Sequence, residues 1–81
     1  MKYENESLKK YLWKGLDLDR YEVLQIIPIN AKNAVIIMHC KNPDPVPYCA
    51  EYGGSGKYFT SPDDLTAYVK RRFHRHISIA A

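Results

Sequence analysis

The chain has 81 residues, of which 46% are hydrophobic and 26% charged, so its composition excludes a disordered segment and predicts one folded domain over residues 1–81. The longest apolar stretch, Ala34–Met38, is too short to cross a membrane, and no apolar run follows the first residues as in a signal peptide, so we expect a cytoplasmic protein. The formal net charge is only +3, but residues 70–81 contain four Lys and Arg residues and no acidic residue.

The first predicted element is a helix from about Glu6 to Lys14. Asn5 is a suitable N-cap, because its side chain can accept a hydrogen bond from a backbone N–H of the first turn. Apolar residues then recur at helical spacing and give the helix one apolar face. That face is made of Leu8, Tyr11, Leu12 and Leu16.

Two strands are predicted next, Tyr21–Ile29 and Ala34–Lys41, joined by a tight turn at Asn30–Asn33. The register that this turn implies pairs Ile29 with Ala34 and leaves both faces of the hairpin apolar. One face then holds Leu24, Ile26, Val35 and Ile37. An antiparallel sheet usually keeps one face polar, so this face needs a cover: a second copy of the chain, the terminal residues or a partner. We predict self-association through it, as a homodimer.

Three prolines within Asn42–Pro47 exclude helix and ladder and predict a loop. Tyr48–Tyr52 is the third predicted strand, and after a glycine-rich turn Lys57–Thr60 forms a short fourth strand or extends the third. Ser61 and Pro62 then open the last helix as N-cap and first residue. The order α-β-β-β-(β)-α predicts an α+β fold. Its three- or four-stranded antiparallel sheet carries both terminal helices on one face.

Each predicted helix carries a basic stripe opposite its apolar face, at the spacing i, i+1, i+4, i+5. The stripe of the first helix comprises Lys9, Lys10, Trp13 and Lys14. The stripe of the last helix comprises Lys70, Arg71, His74 and Arg75. If both helices pack on the same side of the sheet, the stripes merge into one basic patch. Trp13 would then be an exposed ring able to stack on a base or to fill a partner's pocket.

These stripes leave three interpretations open: a protein interface, a nucleic-acid interface, or two solvated helix faces without a ligand. The element order resembles that of double-stranded-RNA-binding domains. That family places basic residues at the start of its last helix, where this chain has Asp63 and Asp64. We therefore expect a small non-catalytic module that binds an unknown protein partner, with a nucleic-acid-binding module as the alternative.

No pattern in the sequence indicates catalysis or a metal site. His39 and Cys40 point to opposite faces of a strand, and His74 and His76 lie about 200° apart on a helix, so neither pair can share an ion. Cys40 and Cys49 lack the spacing of a zinc site and are expected to be buried thiols. We predict no metal, no cofactor and no enzymatic activity.

Overall fold

In the computed structural model, which describes residues 6–79, a four-stranded antiparallel sheet separates the two ends of the chain. The strands lie side by side in chain order: β1 (Tyr21–Pro28), β2 (Ala34–Cys40), β3 (Tyr48–Tyr52) and β4 (Ser55–Phe59). One α-helix, α1 (Pro62–Phe73), follows the last strand. The predicted α+β class and its antiparallel sheet are thereby confirmed, with four strands.

The N-terminal segment, residues 6–20, differs from the helix predicted for it. Residues Glu6–Tyr11 form a short 3₁₀ helix, and turns then connect it to β1. A stretch that ends before Gly15 offers few residues for propagating an α-helix, so packing of its apolar side chains on the sheet decides its conformation. The proposed cap, Asn5, lies outside the described residues.

The connection between β1 and β2 shifts the predicted register by one residue. It comprises Ile29–Asn33 and is organised by the Asn30 side chain, whose Oδ1 accepts two backbone N–H groups at 2.9 Å each. Pro28, rather than Ile29, pairs with Ala34. Because strand side chains alternate, this single-residue shift moves the side chains of β1 to the opposite faces of the sheet.

A β-bulge at Leu24 then interrupts the pairing of β1 with β2. The bulge shifts the register by one more residue, so the side chains before it regain the predicted alternation between the two faces of the sheet. Leu24 therefore packs in the same layer as Val35 and Ile37, whereas Ile26 lies on the opposite face. The four residues predicted to form a self-association face thus do not share one face of the sheet.

Each face of the sheet is covered by a different end of the chain, so the prediction that both ends pack on one face is wrong. The N-terminal segment covers the face of Ile36 and Met38. Helix α1 and the tail that follows it cover the face of Val35 and Ile37, both of which are 0% exposed. Strand β2 is apolar on both sides, and burial of both sides requires cover above and below the sheet.

Helix α1 begins as the sequence predicts but ends earlier. The Ser61 hydroxyl accepts the Asp64 backbone N–H at 3.2 Å, which is the expected N-cap. The helix ends at Phe73, because the next residue, His74, has the left-handed values φ 58 and ψ 37. His76, which the sequence analysis places on this helix, lies on the tail instead and is exposed. Among residues 6–79, no helix is long and apolar enough to span a membrane.

Candidate binding surfaces

The two predicted basic stripes lie on opposite sides of the sheet and do not merge into one patch. The stripe of the N-terminal segment is exposed at Lys9, Lys10, Trp13 and Lys14. The other is exposed at Lys70, Arg71, His74 and Arg75, of which the last two follow the helix rather than lie in it. They are separated because the N-terminal segment and α1 pack on different faces. Each stripe instead borders a concavity of its own.

The first concavity, which we call the N-terminal groove, has a volume of about 360 Å³. It lies between the N-terminal segment and the ends of both hairpins, so residues distant in sequence meet there. Its lining combines cationic, aromatic, amide and carboxylate groups. These residues are Lys10, Tyr11, Trp13, Lys32, Asn33, Ala34, Ile36, Glu51, Gly53 and Gly54.

Local contacts hold the walls of the N-terminal groove in place. The Tyr11 hydroxyl donates to the Asn30 carbonyl oxygen at 2.9 Å and so ties the N-terminal segment to the first hairpin. Lys10 lies over the Tyr11 ring, with Nζ 5.2 Å from the ring centroid. The second hairpin turns through Gly53 and Gly54 at φ 61 and 85, as a two-residue turn of the primed type requires.

Trp13 is the most prominent side chain at the groove, with 47% of its surface exposed. Its indole ring lies directly on Gly15, where an added Cβ would overlap the ring carbons. The absence of a side chain at Gly15 therefore lets the ring fold back along the segment instead of extending into solvent. A half-exposed tryptophan in this position has a large apolar area left to bury against a ligand.

Glu51 places a carboxylate in the same groove. Only 7% of the residue is exposed, and its Oε2 accepts the Gly54 backbone N–H at 2.8 Å. Among the described residues it has no cationic partner. Burial, and secondarily the charge of Glu51, raise the pKa of the Cys49 thiol to about 11, so this cysteine is neutral at physiological pH.

The second concavity, which we call the C-terminal concavity, has a volume of about 510 Å³. It forms where the chain reverses at His74 and the tail runs back along the helix. Ile77 and Ile79 hold this tail against the core layer that contains Val35 and Ile37. Its lining is Ala67, Lys70, Arg71, His74 and His76. The four polar side chains of this set make no hydrogen bond or ion pair with any described residue. Arg75, predicted with them, is exposed but outside the lining.

Several of these groups are not predicted from the sequence as members of a site. Lys32 and Asn33 were assigned to a turn, and Tyr11 to a core face. Glu51 could have been found from strand alternation, because it shares a face of β3 with Cys49 and pairs with Ile36. No local signal marks its position beside the N-terminal segment.

Neither concavity has the groups of a metal centre. Within residues 6–79, no three His, Cys, Asp or Glu residues are grouped so that they could hold an ion. Both cysteines are free thiols and buried, as expected. The exposed groups of the two surfaces are suited to hydrogen bonds, charge pairing and apolar contact.

Comparison with protein-family models found no match, and searches of curated proteins and of solved structures likewise found none. We therefore infer function from the two surfaces alone.

Proposed function

We propose that the protein is a small non-catalytic module that binds another protein through the N-terminal groove. The observation that carries this proposal is Trp13, which is 47% exposed at the rim of a concavity that also holds charged groups of both signs. Tryptophan is among the residues most enriched at the energetic centres of protein interfaces, because a single ring buries a large area at low entropic cost.

The lining of the groove indicates the kind of segment that fits. Lys10 and Lys32 offer cationic groups to an acidic side chain of the partner, and Trp13 offers a surface for an apolar one. Glu51 Oε2 already accepts the Gly54 N–H, so the other carboxylate oxygen is the one that can accept a backbone N–H of the partner. A peptide carries acidic, apolar and N–H groups together, so we expect a short acidic segment of a partner protein.

Nucleic-acid binding through both basic stripes remains the alternative, supported by the exposed Trp13 ring between lysines. Two features favour a protein partner over it. The stripes lie on opposite sides of the sheet, so one strand cannot follow both. The Glu51 carboxylate lines the groove and would repel a phosphate. A gel shift with duplex and single-stranded oligonucleotides at low and moderate salt tests this alternative, and Trp13 fluorescence reports on it.

Homodimerisation stays a prediction, but a face of Leu24, Ile26, Val35 and Ile37 does not supply its surface, because Ile26 packs on the opposite face of the sheet from the other three. Val35 and Ile37 are covered by α1 and are 0% exposed. Sedimentation at high protein concentration would test it. We also propose a cytoplasmic setting, which suits the two buried thiols of Cys40 and Cys49, because a reducing compartment keeps thiols free.

A selection from a displayed random-peptide library tests the main proposal, with Trp13→Ala and Val46→Ala as the matched variants. Val46 is also an exposed apolar side chain, but it lies in the proline loop outside the groove. We expect the selected peptides to be acidic. Their dissociation constants, measured by anisotropy of labelled peptide, should rise about tenfold or more in Trp13→Ala and change less than about twofold in Val46→Ala.

Equal affinity of the selected peptides for Trp13→Ala and the wild type would overturn the proposal. So would a chain that retains no peptide in the selection but binds oligonucleotides in the gel shift. A charge reversal, Lys32→Glu, provides a second check. This substitution should weaken the binding of acidic peptides and leave the binding of neutral peptides unchanged.

A further inference from the structure

The C-terminal concavity has no part in the function proposed above and lies on the other side of the sheet. Lys70 and Arg71 contribute from the last turn of α1, His74 from the residue that ends it, and His76 from the returning tail. On a helix surface, acidic residues one turn away can pair with such cations. Here the four side chains make no ion pair or hydrogen bond with a described residue, so their donors are available to a ligand.

We propose that the C-terminal concavity binds a phosphomonoester group. Such a group carries about −1.5 to −2 charges at neutral pH and several strong acceptor oxygens. Arg71 can meet it with two parallel N–H donors, Lys70 with a point charge, and an imidazole with a ring N–H. A ligand of this charge offsets the repulsion between the positive charges of Lys70 and Arg71, which line the same concavity.

The arrangement of the cations distinguishes this ligand from a nucleic-acid strand. Phosphodiester charges are single and repeat along the whole strand, which calls for a row of cations and for rings on which bases stack. The C-terminal concavity instead gathers its donors around about 510 Å³, and no phenylalanine, tyrosine or tryptophan ring lines it. A single dianionic group matches this clustering better than a chain of single charges.

The concavity is also preorganised. His74 adopts φ 58, a left-handed conformation that is unfavourable for a non-glycine residue, and its N–H caps the helix by donating to the Lys70 carbonyl oxygen at 2.9 Å. Ile77 and Ile79 anchor the tail beyond it, so His76 is held across from the helix. The small side chain of Ala67 leaves space between the two segments.

One feature of this end of the helix opposes an anion. The unpaired carbonyl groups at a helix C-terminus act as about half a negative charge. The two full positive charges of Lys70 and Arg71 exceed it at the same end of α1, and the imidazoles add N–H donors.

The test is an NMR titration of the full chain with inorganic phosphate, and with one peptide in phosphoserine and unmodified form. We expect saturable shifts at Lys70, His74 and His76 with both phosphate probes, and none with the unmodified peptide. Arg71→Gln should weaken binding about tenfold. Arg75→Gln removes the same charge outside the lining and should change affinity less than about twofold.

Either phosphate source supports the proposal, and the two arms separate them. Tighter binding of the phosphopeptide than of inorganic phosphate identifies a modified protein as the ligand, whereas equal affinities identify a small phosphorylated molecule. The proposal is overturned by the absence of saturable shifts, by equal effects of Arg71→Gln and Arg75→Gln, or by an oligonucleotide that binds these residues more tightly than the phosphopeptide. Trp13→Ala should leave phosphate binding unchanged, so this site and the N-terminal groove succeed or fail separately.

Discussion

The thiol of Cys49 lies in the core layer between the sheet and the N-terminal segment. Glu51 lies two residues along the same strand and on the same face. Burial first, and the charge of Glu51 second, raise the pKa of the Cys49 thiol from the ordinary 9.0 to about 11. The folded state therefore holds the thiol proton more tightly than the unfolded state does. The resulting stabilisation is fully present below about pH 9 and is lost as the pH rises through about 11.

We predict that the free energy of unfolding falls between about pH 9 and 11, with Cys49 contributing on the order of 2 kcal/mol to the fall. Denaturant titrations over this range measure it. In Cys49→Ala the fall should be shallower, whatever the cost of the substitution at neutral pH, because the variant lacks the thiol whose pKa is raised. An identical fall in the two proteins would contradict the raised pKa.

The Tyr11 hydroxyl is a polar tie between the N-terminal segment and the first hairpin. Its bond to the Asn30 carbonyl oxygen joins residues that are far apart in sequence. Tyr11→Phe removes the hydroxyl and leaves the ring, so we expect a loss of about 0.5–1 kcal/mol in unfolding free energy and a more mobile groove wall. Amide hydrogen exchange in the N-terminal segment would report the second effect.

Tyr58→Phe is the matched control for this change. Tyr58 is 55% exposed, and its hydroxyl makes no hydrogen bond with a described residue. We expect its substitution to leave both the unfolding free energy and the exchange rates unchanged. Equal effects of the two substitutions would show that the Tyr11 hydrogen bond has no role in holding the segment.

At the scale of elements, α1 owes its start to chemistry within one turn. Ser61 accepts the Asp64 N–H, and Pro62 occupies the first helical position. We predict that Ser61→Ala lowers the unfolding free energy by about 1 kcal/mol in urea denaturation. Ser78→Ala, an exposed change in the tail, should have no measurable effect. A loss below about 0.3 kcal/mol for Ser61→Ala would show that the cap is unimportant.

The first hairpin shows why element boundaries are easier to predict than register. The strand limits follow from composition, and β2 was predicted to within one residue of its observed end. The register depends on which backbone groups the Asn30 side chain accepts in the turn, and on a bulge at Leu24. The turn contacts are local, but several turn geometries suit the same residues, and the bulge depends on cross-strand contacts that a linear pattern does not contain. A single-residue change in register exchanges the faces of a strand.

At the scale of the whole molecule, the sheet separates two core layers that meet different ends of the chain. Ile36 and Ile37 are neighbours in β2, yet they face the N-terminal segment and α1 respectively. We predict that alanine at either position costs about 2–4 kcal/mol. Amide exchange should increase mainly in the N-terminal segment for Ile36→Ala and mainly in α1 for Ile37→Ala. The same exchange pattern in both variants would contradict the separation of the layers.

This division also explains how one small chain presents two binding surfaces. Each terminal segment has an apolar side that covers one layer, and its basic side then faces outward on that side of the sheet. The N-terminal groove and the C-terminal concavity are therefore apart in space and differ in character. The first mixes charges around an exposed tryptophan, and the second gathers Lys70, Arg71 and two histidines without a phenylalanine, tyrosine or tryptophan ring.

Features that depend on near neighbours follow from the amino-acid sequence. These include the cap and first turn of α1, the third strand at Tyr48–Tyr52, the apolar character of both faces of β2, and the basic residues near Trp13 and Lys70. The fold was needed to show which end of the chain covers which face, and that Glu51 and Lys32 join Trp13 in one groove. An apolar strand face predicts that some segment covers it, but the pattern does not identify that segment. That segment is chosen by packing between residues far apart in the chain.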